Sequence, residues 1–132
     1  MNQKKVVLIA HDNLKPSMVE WAQEQKEKLK TFNLFATGTT GSQIERELGL
    51  PVTKFKSGPL GGDQQIGAKI VEGEIDFVIF FWDPMAPHPH DVDVKALLRI
   101  AVVYNIPIAC NRASADLMIQ SMDCDIKEDS II

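Results

Sequence analysis

Cysteine is scarce in this chain, with two among 132 residues. Cys110 and Cys124 stand apart from one another, so neither a C-x-x-C metal or redox pair nor a disulfide framework is written into the sequence. Both are expected as reduced thiols, with packing sufficient to account for Cys110. Long apolar runs are lacking too. The longest, at 75–82, is interrupted by Asp76 and stopped by Asp83, far short of the roughly 20 residues a spanning helix needs. No membrane segment is expected. The opening MNQKK is followed by an apolar stretch too brief for a signal peptide, with no small-residue cleavage pattern behind it, which points to the cytosol. Also missing is any excess of positive charge: 14 basic against 18 acidic side chains give a net charge of −4, with no block of like sign. That balance argues against nucleic acid or an anionic membrane as partner. An anionic ligand would have to be held by local donors.

What is present suffices for one proper core and calls for no second, so a single domain over 1–132 is expected, with 45% apolar and 24% charged residues. Apolar runs of strand length recur at 6–10 (VVLIA), 33–37 (NLFAT), 51–55 (PVTKF), 77–82 (FVIFFW) and 107–110 (PIAC). PVTKF alternates as an edge strand would, whereas FVIFFW is continuous and reads as central. Between them, Pro16 opens a helix to about Lys30, with Met18, Ala22, Gln25 or Lys26, and Leu29 along one face. Thr40 to Gln43 fits a T-x-x-Q capping box for a short helix that reaches Leu48 and stops at Gly49. Asp63 suits the N-cap of a helix through Val71. The clearest helix is 92–104, with Val94, Leu97, Leu98, Ala101 and Val103 as its buried stripe and Asn105 and Pro107 as its stop. A last helix starts at Ser114, and the acidic tail DCDIKEDSII is expected to fray. This order implies a doubly wound, Rossmann-like three-layer α/β/α sandwich around a five-stranded, mainly parallel sheet. Ligands of such folds bind beyond the carboxyl ends of the strands.

The polar residues gather at those ends. The first strand ends in His11 and Asp12, the second in TGTTG, the third in SGPLGGD, and the fourth in Asp83 and PHPHDVD. A parallel sheet would bring them to one rim. Taken singly, each has two readings. TGTTG is a capped helix start or, through hydroxyls and free N–H groups at a helix N-terminus, a phosphate site. SGPLGGD is a turn with an N-cap or an anion-binding loop. Neither is a Walker A loop or a dinucleotide fingerprint. His88, His90, Asp91 and Asp93 carry metal-ligand atoms, but the intervening prolines splay them and no HxxxH or HExxH supports a metal, so none is expected. Lys15 is a solvated lysine or one at the same rim. Asp12 and Asp83 serve as helix or turn caps in their simplest reading.

In order and spacing, AHDNLK, TGTTG, SGPLGGDQQ, FFWDP and PHDVDVKALLR resemble methylglyoxal synthase over nearly the whole chain. The resemblance implies a homohexameric, phosphate-regulated cytoplasmic enzyme without metal or organic cofactor. Such an enzyme converts dihydroxyacetone phosphate to methylglyoxal and inorganic phosphate. It implies that Lys15, Thr37, Gly38, Thr39, Thr40, Ser57 and Gly58 hold the substrate phosphate, and that His11 and His90 meet the carbonyl and hydroxyl. Asp63 would be the proton-abstracting base. Asp12, Asp83 and Asp93 match acidic positions of the family and would orient or polarise, with Arg99 pairing one of them. Val92 stands where the family's PHDPD has proline, and the chain is expected to do without the basic C-terminal extension found in some members.

The chemistry suits these residue types. A carboxylate can remove the C–H proton beside a carbonyl if a donor stabilises the developing enolate, and a neutral imidazole can donate and recover a proton, the division of labour used by triosephosphate isomerase. An ordinary carboxylate is a weak base, so desolvation or strong carbonyl polarisation must help it. Two rivals share these residues: another triose-phosphate lyase or isomerase, and a non-catalytic anion-sensing module like the regulatory domain of carbamoyl-phosphate synthetase.

Overall fold

Val6, Val7, Leu8, Ile9 and Ala10 include no polar side chain, and the strand they build, β1 (Lys5–Ala10), is buried on both faces. An unbroken apolar run is what a strand covered on both sides requires. In the computed structural model, which describes residues 3–56, 61–85 and 94–122, β1 is the middle strand of five. The others are β2 (Asn33–Thr37), β3 (Val52–Phe55), β4 (Phe77–Phe81) and β5 (Ile108–Ala109), in the order β3-β2-β1-β4-β5. All four pairings are parallel, so the sheet is wholly rather than mainly parallel. β3 lies at an edge with Thr53 and Lys54 exposed, and β4 lies inside, both as their patterns predict.

Successive strand residues point to opposite faces. Val6, Leu8 and Ala10, with Phe77, Ile79 and Phe81, pack under one helical layer: α1 (Lys15–Glu24), α2 (Lys26–Leu29), α3 (Gly38–Leu48) and α6 (Arg112–Met122). Val7, Ile9, Val78 and Phe80 pack under the other, formed by α4 (Gly62–Val71) and α5 (Val94–Val103). The result is the expected three-layer sandwich. Trp21 Nε1 donates to Asp116 Oδ1 at 2.8 Å, and Arg112 bridges Glu20 and Glu24 at 2.7 and 2.6 Å, so α6 is fastened to α1. No helix among the described residues is long and apolar enough to cross a membrane.

Helix ends depart from the sequence pattern more than strands do. The helix expected to reach Lys30 is interrupted at Gln25 (φ −100°, ψ 14°), and beyond the break Leu29 and Phe32 both pack into the core. No breaker residue stands there, so packing overrides propensity. Val103 is 67% exposed rather than part of the α5 stripe. It lies two residues past the buried Ala101, which turns it roughly 200° around the helix. α6 begins at Arg112, not Ser114, because Asn111 Oδ1 accepts the Ser114 N–H at 2.8 Å and acts as the cap. Gly49, at φ 72°, ends α3 as expected, and Asn105, at φ 57°, ends α5 in the left-handed geometry asparagine tolerates. Residues 92–93, at the start of the helix expected over 92–104, and the tail from 123 onward lie outside the described residues.

Candidate active site

Parallel pairing sends the carboxyl ends of β1, β2, β3 and β4 to one edge of the sheet. At the corner between β1 and β4 the ladder runs one residue past the strand, where the His11 N–H donates to the Phe81 carbonyl at 3.1 Å. That sets the His11 side chain beside Asp83, whose own N–H donates to His11 Nδ1 at 3.1 Å. The ring is 3% exposed and meets Phe80 edge-on, with centroids 5.2 Å apart at 89°. The chain then enters a 3-10 turn, Asp12–Leu14, closed by the Leu14 N–H on the His11 carbonyl at 2.8 Å. From this turn Asn13 Nδ2 donates to Asp83 Oδ2 at 3.1 Å, while Asp83 Oδ1 accepts the Met85 N–H at 3.0 Å. The second bond is an Asx turn over Pro84, so the capping role read for Asp83 is seen. Asp12 is exposed, and its Oδ1 lies 2.6 Å from Nζ of the half-buried Lys15 at the start of α1. Arg99, expected to pair with a carboxylate here, is exposed on α5. Its pairing is not seen with Asp12 or Asp83.

On the neighbouring strand, TGTTG folds differently from its capping-box reading. Thr37 leaves β2 in extended geometry (φ −68°, ψ 155°) and is itself the N-cap, so α3 starts at Gly38 and Thr40 lies inside the first turn. Thr37 makes no side-chain capping bond, and no acidic residue occupies that turn. The first N–H groups of such a helix carry about half a positive charge. Thr40 is fully buried, and neither its Oγ1 nor Gln43 Oε1 has a partner among the described residues. Thr39 is exposed and Gly38 half-buried. Gly41 lets α3 approach the sheet edge: a Cβ there would stand 2.6 Å from Lys54 Cγ.

At the end of β3 the turn into α4 is made by Gly61, at φ 98°, a conformation that favours glycine. Gly61 is therefore the N-cap, and Asp63 is the second residue of α4 rather than its cap. The Asp63 carboxylate is half-buried and its Oδ1 accepts the Gln64 N–H at 2.9 Å. The Lys56 N–H donates to Gln65 Oε1 at 2.6 Å, tying the end of β3 to α4. Ser57, Gly58, His88, His90, Asp91 and Asp93 lie outside the described residues. Asn13 and Gln65 are the residues the sequence reading passed over. Each sits inside a quoted motif, and each acts through an amide whose partner only the fold reveals.

Cys110, at the carboxyl end of β5, is a half-buried free thiol whose pKa burial pushes up. Among the described residues no group of three His, Cys, Asp or Glu side chains is placed to hold a metal ion. A cavity of about 250 Å³ opens at the opposite end of the sheet, lined by Leu29, Phe32, Leu34, Leu50, Pro51 and Val52 among others. It shares nothing with the polar rim.

The MGS-like domain family matches residues 17–110 of this chain. Methylglyoxal synthase of Leptospira interrogans serogroup Icterohaemorrhagiae serovar copenhageni is 63% identical over 118 residues, which are 89% of this chain and 80% of that protein. The chain belongs to the methylglyoxal synthase family. Methylglyoxal synthase of Saccharophagus degradans is 62% identical over 120 residues, 91% of this chain and 78% of the relative. The crystal structure of methylglyoxal synthase from Elizabethkingia anophelis NUHP1 superposes with a TM-score of 0.86 at 53% identity, covering 89% of this chain and 77% of that one. The three-layer fold is thus the one found in a solved methylglyoxal synthase, and the chain is a lyase of that family.

Proposed function

We propose that this methylglyoxal synthase family member removes phosphate from dihydroxyacetone phosphate, with the substrate phosphate at the N-terminus of α3 and Asp63 as the base. The observation that carries the reading is Thr40: a fully buried hydroxyl without a partner among the described residues, in the first turn of a helix that offers free N–H groups. A buried, unsatisfied polar atom is costly, and a phosphate oxygen would satisfy it. Thr37, Gly38 and Thr39 share that turn, and Lys15 follows the adjacent strand. Ser57 and Gly58 complete the cradle in this reading.

Asp63 takes a proton from the hydroxymethyl carbon, and the C–H electrons form a carbon–carbon double bond while the carbonyl π pair moves onto oxygen. N–H donors from His11 and His90 stabilise that oxygen. The hydroxyl on the deprotonated carbon then gives up its proton, for which the departing phosphate can be the acceptor, and becomes the aldehyde carbonyl, while the carbon–carbon π pair shifts and expels phosphate from the other carbon, provided that C–O bond stands roughly perpendicular to the enediolate plane. The remaining enol gains a proton at carbon to give the dicarbonyl. Lys15, the hydroxyls and the backbone N–H groups take up charge on the departing phosphate. Asp12, Asp83 and Asp93 orient groups around this path, and the sequence of steps calls for no metal or organic cofactor. The molecule acts as one domain in the cytoplasm and as a homohexamer. The exposed apolar residues Val71, Val102, Val103 and Tyr104 support self-association.

Purified protein mixed with dihydroxyacetone phosphate should release methylglyoxal and phosphate in equal amounts. Asp63→Asn should abolish both, and unchanged turnover would remove Asp63 from the mechanism. A triose-phosphate isomer in place of the dicarbonyl would replace this reading with an isomerase.

A further inference from the structure

The corner between β1 and β4 holds an arrangement that carries further chemistry. His11 Nδ1 accepts a hydrogen bond from the Asp83 peptide N–H, at 3.1 Å. An accepting Nδ1 carries its lone pair, so the single proton of a neutral imidazole must sit on Nε2. The imidazolium has a proton on each nitrogen and could not accept that bond. The direction of the Asp83 peptide therefore decides what His11 can offer a substrate oxygen.

Two side-chain bonds fix that direction. Asp83 lies two residues past the end of β4 and directly before Pro84, and its carboxylate is used from both sides: Oδ1 by the Met85 N–H at 3.0 Å and Oδ2 by Asn13 Nδ2 at 3.1 Å. Asn13 lies in the 3-10 turn directly after His11, and that turn is anchored on the His11 carbonyl by the Leu14 N–H. A short ring of contacts results: His11 backbone to Asn13 by the turn, Asn13 amide to Asp83 carboxylate, Asp83 peptide back to the His11 ring. The β1–β4 pairing closes it, through the His11 N–H on the Phe81 carbonyl. Phe80, edge-on to the imidazole, restrains rotation of the ring out of the arrangement.

We propose that Asn13 is a positioning residue that, by holding Asp83, keeps His11 as a neutral Nε2–H donor toward the reacting oxygen. The proposal rests on the reading above that His11 meets the substrate. Among the described residues, the Asn13 side chain bonds Asp83 and none of the groups placed at the substrate. Its amide is suited to the task because it can donate to Asp83 without adding charge, whereas a carboxylate at this position would face another carboxylate and repel it.

The test uses the full chain with 15N-labelled histidine, the His11 signals being assigned by their loss in His11→Gln. The wild type should show a pyridine-type Nδ1 and a pyrrole-type Nε2 resonance for His11. In Asn13→Ala the two resonances should move toward each other as the tautomers mix. kcat should fall about five- to tenfold with KM within about twofold, the loss of one oriented hydrogen bond. Asn13→Asp should be worse on both measures. Far-UV circular dichroism and the melting temperature of each variant show whether the fold is intact, and a role limited to folding would leave the ring resonances of the folded fraction unmoved. A proton on Nδ1 in the wild type overturns the proposal, as do wild-type resonances and kcat in both Asn13 variants. Full turnover by His11→Gln would instead overturn the placement of His11 at the substrate, while the tautomer measurement still reports on Asn13 and Asp83.

Discussion

Lys15 Nζ lies 2.6 Å from Asp12 Oδ1, across the turn that leads from β1 into α1. The Asp12 side chain is 70% exposed and that of Lys15 19%, so the pair is open to solvent on one side. Exposed ion pairs contribute only about 0–1 kcal/mol. The consequence of this one is positional, since it holds the ammonium at the rim. Asp12→Asn is therefore expected to leave stability within about 1 kcal/mol of wild type in urea, while KM for the phosphorylated substrate rises. Lys15→Met removes the cation itself. Its kcat/KM should fall about 10- to 100-fold, the loss of a hydrogen bond to a charged group, and inhibition by inorganic phosphate should weaken in parallel. Unaltered kcat/KM in Lys15→Met would place the phosphate elsewhere.

Thr40 offers a test in which stability and function move in opposite directions. Its hydroxyl is buried without a partner among the described residues, so Thr40→Val removes an unsatisfied polar atom at almost no change in shape. Stability without ligand should be unchanged or higher by about 1 kcal/mol. Phosphate should then stabilise the variant less than the wild type, because the ligand's contribution depends on its affinity for the folded state. Thr40→Ser, which keeps the oxygen, should retain the phosphate response. Thermal melts at several phosphate concentrations separate the two.

The strands were legible because burial on both faces demands long apolar runs, and β1, β2 and β4 fall within a residue of their patterns. Helix starts were less so. Thr40 and Asp63 are good capping residues by type, yet Thr37 and Gly61 hold the caps, since the geometry with which the chain leaves β2 and passes Gly61 decides where each helix begins. For the site, the motifs bring out residues whose chemistry is visible in the side chain itself: His11, Lys15, Thr40, Asp63. Asn13 and Gln65 have no such signature. Asn13 gains its role from a residue 70 positions away, through the register of β1 on β4, and no local pattern encodes that register.

Gln65 should act on Asp63 through the backbone. Its Oε1 accepts the Lys56 N–H at 2.6 Å and ties the end of β3 to the helix that carries Asp63, the base in the proposed mechanism. Because the bond is exposed, Gln65→Ala should cost only about 0.5–1.5 kcal/mol of stability. The loss of kcat should be larger than that cost implies, since small displacements of a reacting group are expensive. Gln65→Glu keeps an acceptor and places a negative charge in the first turn of α4, where the helix end favours it. It should recover most of the lost kcat, and steady-state rates of the three proteins decide the matter.

Glu45 on α3 gives a pH signature for the contact that seats this helix on the sheet edge. Lys54 Nζ bonds its Oε1, and the Val52 N–H donates to its Oε2 at 3.1 Å. The Lys54 hydrogen bond first, and the Val52 N–H second, hold the Glu45 carboxyl below its ordinary value of 4.5. A carboxyl lowered in the folded state binds its proton more readily in the unfolded chain. The stabilisation is fully present above the ordinary value and is lost as pH falls through the lower folded one. Glu45→Gln should therefore be less stable than wild type at neutral pH, and the gap should narrow as the solution is acidified below the ordinary carboxyl range. Urea midpoints of both proteins from neutral pH down to about pH 3 measure it. A gap that stays constant over that range would show that the carboxylate's charge plays no part in holding α3 to β3, leaving the close approach at Gly41 to seat the helix.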